Sequence, residues 1–498
     1  MWYFMQKMEV FAVADLLLLI NLDIPASRSV ARKLRGEGFF CLVMPAGSRP
    51  EDFPEEGVKG LVFCGGSTGH PIRIPCLEAC LQLNLPILAL GDAALTLCQY
   101  YGGSLTEPED KAASVAVRFT GTALSREGLG ESGRYLAHPC YMVPSPRMEP
   151  IATADGGVLG FRVPEGNVYA MAFQVENNDP DGLQLLVSYG QNVCGCDAWW
   201  SQRAFIDTAV REIQEAADGG DGFCAISGGV DSATCAALGK LALGTRMHCL
   251  FVDTGLMREG EPDNVMENLA GIAGLDIQRV DAREEFIQAL EGVADPEQKE
   301  RIIYSRLRAH LRHAVSLLPD VRVILQSTNY SDIFGRRVEL NPELPSAGIR
   351  MLTPLRYLFK DEIRRVAETL GLPEAVCRRQ PFPSSGLALR IVPLVTGERL
   401  AQLGTADRIL REEIEEGGYN KRLWQYYATL FEDPIPGDEG LVVVIRAVQT
   451  AQGGAVAARL PSDLAERVTE RILAGIPQVR RVFYDLTPSR SYGRVEWS

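Results

Sequence analysis

Ser227-Gly-Gly-Val-Asp-Ser232 is the segment of this chain whose residue types and spacing most directly suggest chemistry. An apolar run, Phe223-Cys-Ala-Ile226, precedes it, and a helical pattern from Ala233 to Leu243 follows. A strand, a glycine-rich turn and a helix N-terminus in that order make an anion site. The glycines let backbone approach a phosphate closely, and free N–H groups and the helix dipole face the negative charge. Ser227 and Ser232 add hydroxyl donors, and Asp231 is placed to help hold a magnesium ion or the turn itself. The Gly-Lys-Ser/Thr ending of a Walker loop is absent.

The elements that must position this loop belong to a long chain. At roughly 150 residues per domain, 498 residues predict about three domains. A composition of 46% hydrophobic and 23% charged residues excludes global disorder. The net charge of −14 argues against a broad basic surface for nucleic acid and leaves room only for a local phosphate pocket. Twelve cysteines are scattered without the second half of a zinc motif, which fits buried thiols in a reducing cytoplasm. The apolar stretch Val10–Leu22 carries Asp15 and Asn21, so it is too short and too polar to span a membrane. It reads as a buried first strand.

Leu16–Ile20, Phe39–Val43, Gly60–Phe63 and Pro86–Leu90 read as short buried strands, with an amphipathic helix around Ser27–Glu37. Strands alternating with helices predict a parallel α/β layer to about residue 195. A helix from Trp199 to Ala217 ends at Asp218-Gly-Gly-Asp-Gly222. A second α/β layer then opens, with strands at Phe223–Ile226, His248–Val252 and Val321–Leu325. Pro381-Phe-Pro383 marks another boundary, and strand signals at Leu441–Ile445 and Val482–Tyr484 predict a small α+β domain at the end.

The hexamer resembles the pyrophosphate loop of N-type ATP pyrophosphatases. Further segments narrow the resemblance to the glutamine-hydrolysing GMP synthetase family. They are Phe251-Val-Asp-Thr-Gly-Leu-Met-Arg-Glu-Gly-Glu261, Asp295-Pro-Glu with Arg301-Ile-Ile303, Gln326-Ser-Thr-Asn-Tyr-Ser-Asp332, Leu358-Phe-Lys-Asp-Glu-Ile-Arg364 and the ending Val482-Phe-Tyr-Asp-Leu-Thr487. The resemblance implies an α/β protein of three parts: a class I glutamine-amidotransferase-like domain over 1–197, a parallel-sheet ATP pyrophosphatase domain of the adenine-nucleotide alpha-hydrolase type over 198–380, and a C-terminal α+β dimerisation domain over 381–498. It also implies ATP and Mg2+ as cofactors, a small nucleotide substrate and a homodimer. Ser227, Gly228, Gly229, Val230, Asp231 and Ser232 would bind the pyrophosphate end of ATP. Asp231, Asp253 and Lys360 would be catalytic, Asp231 and Asp332 would face the metal, and Arg301 would lie on the substrate side.

The chain departs from the family at two places. The nucleophile elbow P-x-L-G-x-C-x-G is here Pro86-Ile-Leu-Ala-Leu-Gly-Asp-Ala93, which puts Gly91 at the nucleophile position, and Cys98 lies seven residues later. The family's F-H-P-E is Phe173-Gln-Val-Glu176, so the base position holds Gln174 and only Glu176 remains. Thioester chemistry needs a thiolate beside an imidazole, so this domain is expected to fold without hydrolysing glutamine. On the substrate side, P-F-P-G-P-G-L-A is Pro381-Phe-Pro-Ser-Ser-Gly-Leu-Ala388, a basic glycine-rich lid segment is missing, and the terminus is rewritten as Ser489-Arg-Ser-Tyr-Gly-Arg-Val-Glu-Trp-Ser498. Arg446, Arg490 and Arg494 are either anion-pairing forks or solvated surface arginines. Three readings follow: a GMP synthetase using ammonia, free or from a separate glutaminase; a paralogue that adenylylates another acceptor; and an ATP-binding protein without catalysis.

Overall fold

In the computed structural model the described residues are 15–54, 56–66, 68–106, 115–120, 132–137, 140–154, 157–176, 180–335, 348–383, 385–433, 440–451 and 454–487. Residues 1–208 and 209–498 form two units.

The first unit is built on a sheet whose central strands are parallel. Val168–Met171, Ile87–Leu90, Val58–Cys64, Leu16–Asn21 and Cys41–Pro45 lie side by side in that order. Leu16 to Ile20 are fully buried, as a strand covered on both faces requires. Asp23 starts the helix Ile24–Gly36 by accepting from Ala26 N at 2.8 Å. The hydrophobic pattern predicts four of these five strands, missing Val168–Met171, and the expected parallel layer does not run unbroken to residue 195. The sheet continues through antiparallel strands, among them Gly157–Val163, Glu149–Ala154 and Val115–Phe119. Their polar residues and glycines hide the alternation that marks a strand.

The second unit opens on a five-stranded parallel sheet in the order Ile277–Asp281, Met247–Asp253, Asp221–Ile226, Val321–Leu325, Arg350–Leu352. The chain winds outward in one direction and then in the other from Asp221–Ile226. The crevice beyond the carboxyl end of that strand is where open α/β sheets place ligands. The expected 380/381 boundary falls within this unit. A single hydrophobic cluster runs from Phe223, Leu250 and Ile303 to Leu430, Val443, Val468 and Ile472. The later part is a mixed five-stranded sheet centred on Gln425–Glu432 and Leu441–Ala451, with helices Gly397–Glu416 and Ser462–Gly475.

None of the twelve cysteines is paired in a disulfide. Among the described residues no helix is long and apolar enough to cross a membrane.

Candidate active site

The strand Asp221–Ile226 ends at the winding reversal, and the helix Val230–Leu243 starts four residues later. The turn between them needs glycine: Gly228 has φ +76°, a region that side chains rarely adopt. A Cβ there would lie 2.4 Å from Val265 Cγ2 and 2.6 Å from Arg379 Nη1. Gly229 precedes the helix without a capping side chain. Ser232, buried in the first turn, braces the loop. Its Oγ accepts from Ser227 N at 3.1 Å, donates to Gly229 O at 3.0 Å and lies 3.0 Å from Ser227 Oγ.

Two segments converge on Asp231. Lys360, first residue of the helix Lys360–Thr369, places Nζ 2.5 Å from Asp231 Oδ2. The Phe359 amide donates to Glu362 Oε2 at 2.8 Å, fixing where that helix starts. Asn329, buried after the strand Val321–Leu325, donates its Nδ2 to Asp231 Oδ2 at 3.1 Å. Its Oδ1 accepts from Ser331 N and Asp332 N, while its own amide donates to Asp332 Oδ2 at 3.1 Å. Asp231 and Asp332 are therefore linked through Asn329, a residue to which the sequence motifs assign no role. Asp231 Oδ1 is buried with no hydrogen-bond partner. A magnesium ion commonly takes one or two carboxylates and fills the rest of its shell with water and phosphate oxygens. The free Oδ1 fits such a single ligand.

Asp253 ends the strand beside the loop strand and is 1% exposed. Its Oδ2 lies 2.7 Å from Arg279 Nη2, and its Oδ1 accepts from Gly255 N at 3.1 Å. These contacts fasten the turn after the strand. Arg301 sits on the exposed face of the helix Pro296–Ser316, 3.4 Å from Glu297 of the same helix. Arg446 is buried and committed internally, 3.1 Å from Asp485 Oδ2 and donating to Thr487 O at 2.7 Å. Arg490 and Arg494 lie outside the described residues.

In the first unit, Gly91 joins the strand Ile87–Leu90 to the helix Asp92–Tyr100 with φ +61° and ψ −132°, an elbow between strand and helix. A Cβ at Gly91 would lie 2.3 Å from Gly66 O. That carbonyl accepts the Asp92 amide at 3.0 Å. The amide after the elbow residue, which would otherwise point at a developing oxyanion, is thus already occupied. Asp92, fully buried, accepts from Thr68 N and Oγ1 at 2.8 Å each and from Gly69 N at 2.9 Å. The carboxylate ties this turn against the elbow.

Gln174 lies on the short strand Phe173–Gln174. Burial pushes the Glu176 carboxyl up to about 7, with Asp23 adding to the rise and Lys33 opposing it. Cys98 stays inside its helix, and burial pushes its thiol up to about 11. A thiol held in that state is a poor nucleophile.

Comparison with known proteins finds relatives for nearly the whole length of the chain. Residues 204–390 match the NAD synthase family model, and 412–497 match the GMP synthase C terminal domain model. The chain is 32% identical to GMP synthase [glutamine-hydrolyzing] of Caldicellulosiruptor saccharolyticus, over 97% of this chain and 99% of that protein. It is 33% identical to the protein of the same name from Symbiobacterium thermophilum, again over 97% and 99%. With the loop at the winding reversal and likeness along nearly the whole length, the chain belongs to the GMP synthase family.

Proposed function

We propose that this chain is a GMP-synthase-like ATP pyrophosphatase that activates a carbonyl oxygen for amination by ammonia and does not hydrolyse glutamine. Its parts are 1–197, 198–380 and 381–498, the last serving a homodimer, and its setting is the cytoplasm. The observation that carries the reading is the convergence of Lys360 and Asn329 on Asp231 beneath an open phosphate loop.

ATP lies with its pyrophosphate end on Ser227–Ser232. The acceptor oxygen, O2 of xanthylate in the family, attacks the α-phosphorus, and the bond to pyrophosphate breaks. The loop amides and Lys360 stabilise charge on the leaving group. Ammonia then attacks the activated carbon, AMP departs, and the nitrogen loses its proton to solvent. Magnesium, when bound, would add positive charge beside the pyrophosphate, with Asp231 Oδ1 as its protein ligand and Asp332 held alongside by Asn329. Asp253 acts by holding the neighbouring turn.

The glutaminase half is silent in this reading. Gly91 offers no nucleophile, Gln174 no base, and the Gly66 carbonyl covers the Asp92 amide. A second reading, in which the acceptor is not xanthylate, draws on Arg446 being spent on Asp485 and on the altered Pro381–Ala388 stretch. Nitrogen-source competition tests the proposal. AMP release with acceptor, ATP and ammonium, together with no glutamate from glutamine, supports it. Glutamate production overturns the claim of a silent glutaminase half.

A further inference from the structure

Arg379 lies against the turn of the phosphate loop. Its Nη1 is 2.6 Å from the place a Cβ on Gly228 would take, so no side chain separates the guanidinium from the glycine. The other terminal nitrogen, Nη2, is paired with Glu261. Nη1 itself is buried and has no hydrogen-bond partner, and the whole side chain is 16% exposed. A charged donor removed from water and left unpaired is unfavourable, so such a group in a folded protein calls for a partner. The position is also held from outside: Arg364, on the helix that begins with Lys360, donates to Arg379 O at 3.1 Å and also to Cys377 O. One helix thus supplies Lys360 to Asp231 and fixes the backbone that carries Arg379.

Glu261 does more than neutralise Arg379. Its Oε2 accepts from Arg258 N at 3.2 Å, so the carboxylate is anchored before it orients the guanidinium. The fork is held by one nitrogen and offers the other.

We infer that Arg379 is an anion-binding residue of the phosphate loop, whose Nη1 donates to a non-bridging oxygen of the pyrophosphate moiety while Glu261 holds the guanidinium in place. The inference rests on the proposed ATP pyrophosphatase reading and adds to that same site a residue far from the loop in sequence. With Nη2 held by Glu261, the rigid plane of the guanidinium fixes where Nη1 points, which a flexible lysine ammonium does not.

Calorimetric titration of the full chain with inorganic pyrophosphate and Mg2+ tests it, with melting temperature recorded for each variant. Arg379→Met is expected to weaken pyrophosphate binding about tenfold or more. Arg379→Lys is expected to recover part of that loss, and Glu261→Gln to bind within about threefold of wild type. A folded Arg379→Met chain that binds pyrophosphate within about twofold of wild type overturns the inference. So does a loss in Glu261→Gln equal to that in Arg379→Met, because the arginine would then matter only as a structural partner. If Arg379→Met melts early, Arg379→Lys decides: a clear loss supports the inference, and unchanged affinity overturns it. Wild type that binds no pyrophosphate removes the reading of the loop itself, whereas equal binding by wild type and the Arg379 variants removes only the role given to Arg379.

Discussion

Lys360 Nζ and Asp231 Oδ2 are 2.5 Å apart, although 129 residues separate them in the chain. The contact ties the start of one helix to the first turn of another, at the mouth of the phosphate loop. Lys360 is 40% exposed on its side chain, so the pair contributes little to stability, at most about 1 kcal/mol. In the proposed reaction its value is positional: the ammonium would stand where charge builds on the leaving pyrophosphate. Lys360→Met is therefore expected to lower ATP–pyrophosphate exchange by about 100-fold or more while leaving the melting temperature within a few degrees. Exchange rates and thermal unfolding of the same preparation check both halves.

Restoring a thiol to the elbow should not restore glutaminase. Gly91→Cys places a Cβ 2.3 Å from Gly66 O at φ +61°. The strain is expected to cost about 1–3 kcal/mol and to lower the melting temperature. Glutamate release should stay at background, because Gln174 cannot take the thiol proton and the Asp92 amide remains bonded to Gly66.

Much of the phosphate loop was legible because it is local. An apolar strand, two glycines and a helix follow each other within 23 residues, from Asp221 to Leu243. Apolar runs likewise revealed most strands of both parallel sheets, but not Val168–Met171, Ile277–Asp281 or Arg350–Leu352. What remained hidden depends on which distant charges meet. Asn329 reaches Asp231 across 98 residues, and Arg379 reaches Glu261 across 118. Composition cannot order such pairs. Arg446 shows the converse: the sequence leaves it as an anion-pairing fork or a solvated surface arginine, and the fold buries it against Asp485 and Thr487 O. The turn held by Asp92 was also invisible, since its meaning lies in the Gly66 carbonyl that it presses against the elbow.

Glu176 gives the first unit a pH dependence of definite sign. Its folded pKa, about 7, is above its ordinary value of 4.5, so the folded state binds the extra proton. Stability from this group is full below about 4.5, falls as pH rises towards 7 and then levels. Glu176→Gln should remove that slope. The variant is expected to match wild type near pH 4.5 and to exceed it by about 1–3 kcal/mol at pH 8, read from denaturant unfolding at each pH.

Xanthylate should be a weak acceptor. The grip on a nucleotide phosphate would be short of Arg446, and forgoing one charge-assisted hydrogen bond to a phosphate costs about 1.5–3 kcal/mol. GMP formation from ATP, ammonium and xanthylate is expected to be slow or absent at low xanthylate, against intact ATP binding. Robust turnover at low xanthylate would show that other residues supply the grip.

The phosphate loop is expected still to activate an acceptor with ATP. ATP–pyrophosphate exchange by the purified chain with Mg2+, across a panel of purine nucleotide acceptors that includes xanthylate, tests it most directly. Wild type is expected to show acceptor-dependent exchange, and Asp231→Ala to lose it while still folded. Normal exchange in Asp231→Ala, or no exchange by the folded wild type with any acceptor, would contradict it.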